Sequence, residues 1–252
     1  MCYVAPALEH VLDEVSRHLP GLKGCVGQAA CEQLCCGRAG NTDLIQTLLQ
    51  HCQQQHPEAG RHYWSVRTWT LLIWQPIYLS VLAVHLQQCA LRLNGMGQST
   101  RDGFVGGYCL PDHTPRRDHL PQLIALSGAQ LAQCLSAQLD EYSHLCPIAA
   151  KLARLLIADC LRAALLLLQR QQDLSNPQVQ QLEHDWLAAL ELSGRSPLVC
   201  LELESGRQCL ALGRSACCQH FRRADGEPCA GCPRLKPHER EQRLRQELIA
   251  QC

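Results

Sequence analysis

Four cysteines near the C-terminus carry the strongest chemical signal in this sequence. Cys217, Cys218, Cys229 and Cys232 fall in the spacing C-C-x10-C-x2-C within CCQHFRRADGEPCAGCPRL. Two short thiol pairs brought face to face supply four soft donors, enough to hold Zn²⁺ or an iron–sulfur cluster. Between the pairs, Ala224-Asp225-Gly226 is a turn signal, so the segment is expected to double back. Gly231 and Pro233 shape the backbone of the C-x2-C half. The vicinal pair is less ordinary. Adjacent side chains of a strand point to opposite faces, so both sulfurs can bind only where the backbone leaves extended geometry.

Little else in the chain competes as chemistry. No G-x-G-x-x-G or Walker loop, no G-x-S-x-G elbow and no H-E-x-x-H occurs. No acid–base pair or triad stands out, and one-electron transfer needs none. Arg214, His220, Arg222 and Arg223 lie within the cysteine segment or just before it, and Arg101 lies in a Gly-rich stretch upstream. These cations could tune a cluster or attract an anionic chelate; an exposed, solvated strand face explains them equally well.

The C-C-x10-C-x2-C-P ending, preceded by Arg214-Ser215, resembles the signature of FhuF-like ferric-siderophore reductases. The resemblance covers about the last quarter of the chain. It extends more loosely to YWSVRTWTLLIWQPIYL and DGFVGGYCL, and the first forty residues offer no comparable anchor. It implies a 2Fe–2S cluster on Cys217, Cys218, Cys229 and Cys232. It also implies reduction of siderophore-bound Fe³⁺ in the cytoplasm; without a dinucleotide fingerprint, a separate ferredoxin or NAD(P)H-dependent reductase is expected as the electron donor. Peripheral contact with the cytoplasmic face of the inner membrane is compatible with that role. Two readings of other classes stand beside it: a structural zinc or interaction module, and an iron–sulfur carrier or sensor without reductase activity.

The elements that must position the cysteines are mostly helical. Val4, Leu8, Val11, Leu12, Val15 and Leu19 recur at helical spacing, and Pro20-Gly21 stops that helix. Asn41 or Thr42 caps a helix carrying Ile45, Leu48, Leu49 and Cys52. The polar HCQQQHPEAGRH, with His51, His56 and His62, reads as a solvated loop. Residues 65–94 form a long apolar helix that Pro76 kinks or divides. Trp64, Trp69, Trp74 and Tyr78, concentrated around its first half, read as core, or as the wall of a pocket beside the cluster. Residues 95–115 are Gly-rich and irregular, with a short strand at Phe104, Val105 and Tyr108.

Three further helices follow, with Pro121, Pro147 and Pro177 in first turns and Asp118 and Asn176 as caps. Leu165, Leu166, Leu167 and Leu168 mark the central element among them, and Ser193-Gly194 closes the last. After Gly194 the period changes to alternation around Ser205-Gly206-Arg207, a hairpin delivering the chain to Cys217, and a charged amphipathic helix ends it. The fold class is α+β: a predominantly helical body with a small antiparallel β element leading into the C-terminal cysteine motif. Residues 1–194 form the body and 195–252 the hairpin and cluster segment, in one compact unit.

Composition bounds the rest. A chain of 252 residues buries a substantial core. With 23 basic and 23 acidic residues, no global field recruits nucleic acid, and none is expected as a partner. The start, MCYVAPALEHVLDEV, lacks a basic n-region and an unbroken apolar run, so most of the 18 cysteines are expected to be reduced, small buried residues. Cys25, Cys31, Cys35 and Cys36 offer a second metal site; the plainer reading packs Cys31 and Cys35 inward from one helix face. Residues 71–86, broken by Gln75, Pro76 and His85, are the nearest approach to a membrane span, and a soluble protein is expected.

Overall fold

Helix α3, Gly60–Gln87, is apolar around most of its circumference, and such a helix must be enclosed on all sides. In the computed structural model, which describes residues 7–192 and 197–250, the other helices provide that enclosure. They are α1 (Leu8–His18), α2 (Thr42–Gln55), α4 (Leu120–Leu145), α5 (Ala150–Gln172) and α6 (Asn176–Ala189), with α7 (Pro237–Ala250) at the C-terminal end. Trp69 of α3 is fully buried, stacks on Tyr142 of α4 at 5.8 Å, and donates to the Ala153 carbonyl of α5. The Tyr142 hydroxyl returns a hydrogen bond to Ser65 of α3 at 2.8 Å. Three helices are thereby locked with their aromatic polar atoms satisfied.

Pro76 neither divides nor ends α3. A proline has no N–H to offer the carbonyl four residues back, here that of Leu72. The buried Gln98 side chain donates to that carbonyl at 3.1 Å and to Gln75 at 3.2 Å, while accepting from Gln138 at 3.0 Å. A side-chain amide thus replaces the missing backbone donor, and the helix continues. The apolar stretch of this helix is long enough to cross a membrane by length and composition, and 72% of it lies buried in the fold.

The β structure falls in two parts. Strands β1 (Gly24–Val26), β2 (Gln33–Cys35), β3 (Gly97–Arg101) and β4 (Phe104–Leu110) form one sheet in the order β1-β4-β3-β2. Its β1–β4 pair is parallel and the others antiparallel. Strands β5 (Leu198–Glu202) and β6 (Gln208–Leu212) form a separate antiparallel hairpin. The architecture is α+β, predominantly helical, with a small antiparallel and mixed β component.

Several sequence expectations are corrected here. The Gly-rich stretch is not irregular: β3 and β4 run through it, turning at Asp102-Gly103, both with positive φ, as a two-residue hairpin requires. Cys31 and Cys35 share no helix, because that segment pairs as β2. The histidine-rich stretch is not a loop: α2 runs to Gln55, a single 3₁₀ turn spans Pro57–Ala59, and α3 starts at Gly60. Pro147 precedes α5 rather than entering its first turn. The caps differ in part. Asn41 does occupy the N-cap of α2 but spends its side chain on Cys35, Arg38 and Glu141 instead of on the helix, whereas Asp118 precedes the cap of α4 and Ser175 with Gln178 forms the capping box of α6. Cys36 is no free thiol, being bonded to Cys134 of α4 as a buried disulfide. Cys52, Cys89, Cys109 and Cys146 are buried thiols, whereas Cys25, Cys31 and Cys200 are exposed. The readings on Val4, on Ser193-Gly194 and on the boundary at 194/195 lie wholly or partly outside the described residues.

Candidate metal centre

The hairpin hands the chain to the cysteines through one buried carboxylate. Asp159 of α5, 1% exposed, accepts from the Ser215 N–H at 2.8 and 3.0 Å and from the Ala216 N–H at 3.0 Å. Behind it, Arg162 donates to Asp159 at 3.4 Å and to Glu183 of α6 at 2.5 Å. Buried charges persist only where they are paired and hydrogen-bonded, and this triad is both. The helical body therefore grips the two residues immediately before Cys217.

Beyond that grip the backbone is irregular, as a shared site for the vicinal pair requires. Gln219 takes a left-handed conformation, φ 59°, and a single 3₁₀ turn spans His220–Arg222. The chain then turns at residues 224–226, where the Gly226 N–H reaches the Arg223 carbonyl. A Cβ on Gly226 would lie 2.1 Å from the His220 carbonyl oxygen. One on Gly231 would lie 2.1 Å from that of Leu212. Both positions need glycine because backbone passes directly against them. Two further anchors hold the loop from outside: Glu58 accepts from the Ala224 N–H, and Arg243 of α7 donates to the Pro228 carbonyl, each at 2.9 Å.

The four thiols meet in pairs. The sulfurs of Cys218 and Cys229 are 3.8 Å apart. Cys217, on the other side of the vicinal pair, faces Cys232, which is 1% exposed. The Cys229 thiol donates to Cys218 and holds it down to about 5, with the His220 N–H and the Arg214 cation assisting against burial. The same hydrogen bond, reinforced by burial, drives Cys229 up. One thiolate is thus shared across that pair. Burial first, then the Cys232 and Cys218 sulfurs, raises Cys217. Arg214 sits against this group; burial works against its charge, and the Cys229 and Cys218 sulfurs outweigh that.

Thiolates on a tetrahedral ion with metal–sulfur bonds of about 2.3 Å lie about 3.8 Å apart. The Cys218–Cys229 spacing matches that value. Among the described residues, no three Cys, His, Asp or Glu side chains converge on one metal position. The sulfurs sit as two facing pairs that also feel one another's charge across the pairs.

A cavity of about 600 Å³ opens beside one of these pairs. Cys218 and Cys229 line it, while Cys217 and Cys232 do not. Trp74, Tyr78 and Phe104 supply an aromatic wall, with ring centroids 6.1 Å apart from Trp74 to each of the others. Trp74 is fixed by a hydrogen bond to the Val105 carbonyl. Phe104, 48% exposed, stands at its mouth on the β3–β4 hairpin. Arg67 and Arg214 are its cations, and neither has an ion-pair partner among the described residues.

Of the cations singled out in the sequence, Arg214 and His220 line this cavity. Arg223 is paired with Asp225, Arg222 reaches Gln219, and Arg101 is exposed in the β3–β4 hairpin; none of these three lines it. Trp74 and Tyr78 form the wall, but Trp69 is core and Trp64 is tied to the His56 carbonyl. Sequence reasoning missed Asp159 and Arg67. A signal for Asp159 was present: it is the lone carboxylate in the apolar run ARLLIADCLRAALLLL. No protein-family model matches the chain.

Proposed function

We propose that this protein is a ferric-siderophore reductase that holds a 2Fe–2S cluster on Cys217, Cys218, Cys229 and Cys232. The observation that carries the reading is the division of the four thiols into two facing pairs, with Cys218 and Cys229 3.8 Å apart. A single zinc ion would draw all four sulfurs to one centre, whereas a two-iron cluster takes two thiolates on each side. The irregular backbone after the vicinal pair lets both of its sulfurs serve one such site. The resemblance of this motif to FhuF-like reductases supports the same choice.

Such a cluster supplies one electron at a time, at a potential set by charge, hydrogen bonds and burial. The roles of the chain's own residues follow from their placement. Asp159 fixes the entry to the vicinal pair, and Arg214 adds positive charge beside the sulfurs. Trp74, Tyr78 and Phe104 offer an apolar wall on the Cys218/Cys229 side, where a bulky chelate can lie close to the donor. Hard oxygen donors hold Fe³⁺ through its high charge; one electron lowers that charge and loosens their grip. The cavity favours a reductase over a simple carrier, which needs no substrate-sized recess.

The test is anaerobic mixing of the reduced protein with a ferric siderophore. One Fe²⁺, trapped by a ferrous chelator, is expected for each electron lost by the protein, with the siderophore recovered intact. Broken siderophore, or Fe²⁺ formed without oxidation of the protein, would contradict the reading.

A further inference from the structure

Around the cysteine loop, on residues that do not line the cavity, the surface is cationic. Phe221, three residues after Cys218, lies under the guanidinium of Arg234, two residues after Cys232, at 4.6 Å. Arg222 approaches the same ring at 5.7 Å. The two arginines therefore join the two halves of the loop over one aromatic ring, a favourable arrangement for guanidinium groups. Arg222, Arg234 and Lys236 are exposed, and none has an ion-pair partner among the described residues. Arg223 and Asp225 neutralise each other, leaving Glu227 as the one carboxylate on the loop against those three cations.

We infer that this cationic face is the docking surface for the electron donor, and that the donor is a small acidic one-electron carrier protein. The inference rests on the reductase reading above and adds the partner's chemistry and place of contact. An iron–sulfur cluster takes up one electron at a time, which suits a one-electron carrier as its donor better than a hydride donor. Arg234 is two residues from Cys232, so its backbone lies within about 7 Å of that of a sulfur ligand. None of Phe221, Arg222, Arg234 and Lys236 lines the cavity, so donor and ferric chelate can be bound together. Oppositely charged faces accelerate encounter and orient it, which suits a partner that must arrive, transfer and leave. The step moves one electron: the donor is oxidised by one, the cluster is reduced by one, and no bond is made or broken.

The experiment uses the full chain with its cluster oxidised, mixed by stopped flow with a reduced acidic plant-type ferredoxin. Reduction should slow steeply with added salt, and Arg222→Glu or Lys236→Glu should each lower the second-order rate roughly tenfold at low ionic strength. Lys236 makes no ring contact, so its variant separates charge from loop packing. Iron content, sulfide content and reduction by dithionite should stay as in the parent. Equal rates in all variants, with no salt dependence, would overturn the proposal while leaving the cluster intact. A colourless, sulfide-free protein would remove the cluster reading and this proposal with it. Binding to phosphatidylglycerol vesicles that is lost in the variants, with ferredoxin reduction unchanged, would assign the face to a membrane and refute the donor site.

Discussion

Replacing Asp159 by asparagine tests whether the helical body positions the cysteines. The carboxylate accepts from Ser215 and Ala216 at 2.8–3.0 Å and pairs with Arg162 at 3.4 Å, all away from water. An asparagine keeps the shape and one acceptor, but its NH₂ group faces a backbone N–H where the second oxygen stood. One charge-assisted hydrogen bond is then lost, at about 1.5–3 kcal/mol, and a buried donor is left unsatisfied, at about 1–3 kcal/mol. Arg162 keeps Glu183, which limits the further loss from the broken charge pair. The expected total is about 3–5 kcal/mol, a large fraction of the stability of an ordinary domain. Urea denaturation measures the global loss, and iron and sulfide per chain measure the local one. Iron should fall in Asp159→Asn even at temperatures where circular dichroism shows native helix. A variant within about 0.5 kcal/mol of the parent with full iron content would refute the clamp.

Other perturbations have equally definite outcomes. Gly231→Ala puts a methyl 2.1 Å from the Leu212 carbonyl, so the loop must shift; loss of bound iron and a lower melting temperature are expected, and an unchanged protein would show that the contact relaxes freely. Trp74→Ala or Phe104→Ala should raise KM for the ferric chelate several-fold without altering iron content, and an unchanged KM would remove the cavity from the substrate's path. His85 is held neutral by burial, its pKa lowered to about 4, while its ring accepts from the Trp186 N–H at 2.9 Å. Because the unfolded chain takes up that proton first, stability is full above about pH 6.5 and falls by up to roughly 3 kcal/mol as pH drops toward 4. Denaturation at several pH values should show that slope, and His85→Gln should flatten it.

Much of this fold follows from local periodicity. The apolar α3, the leucine run of α5, the β5–β6 hairpin around Gly206 and the charged α7 all carry their patterns in contiguous residues. The four-stranded sheet was less legible, since β1 and β2 are only three residues each and find partners far along the chain. Their cysteines suggested a metal patch or a helix face, whereas long-range pairing decided the backbone. Asp102-Gly103 did signal the β3–β4 turn, but the surrounding glycines masked the alternation. Pro76 shows a different limit. Its helix survives because of Gln98, a residue whose role is invisible until the sheet packs on α3. The cysteine motif itself was plain in the spacing. Its division into two pairs, and the clamp by Asp159 from 56 residues upstream, arise only from tertiary contact.

The most direct measurement is the metal and sulfide content of protein purified without oxygen, together with its electron paramagnetic resonance after one-electron reduction. Two irons and two acid-labile sulfides per chain are expected, with visible absorbance that bleaches on reduction and a paramagnetic signal from the reduced cluster. Serine at Cys217, Cys218, Cys229 or Cys232 should abolish or severely reduce both contents, whereas serine at Cys25, Cys31 or Cys89 should leave them intact. A colourless protein carrying one zinc ion and no sulfide would contradict the account, as would equal loss of iron from both sets of variants.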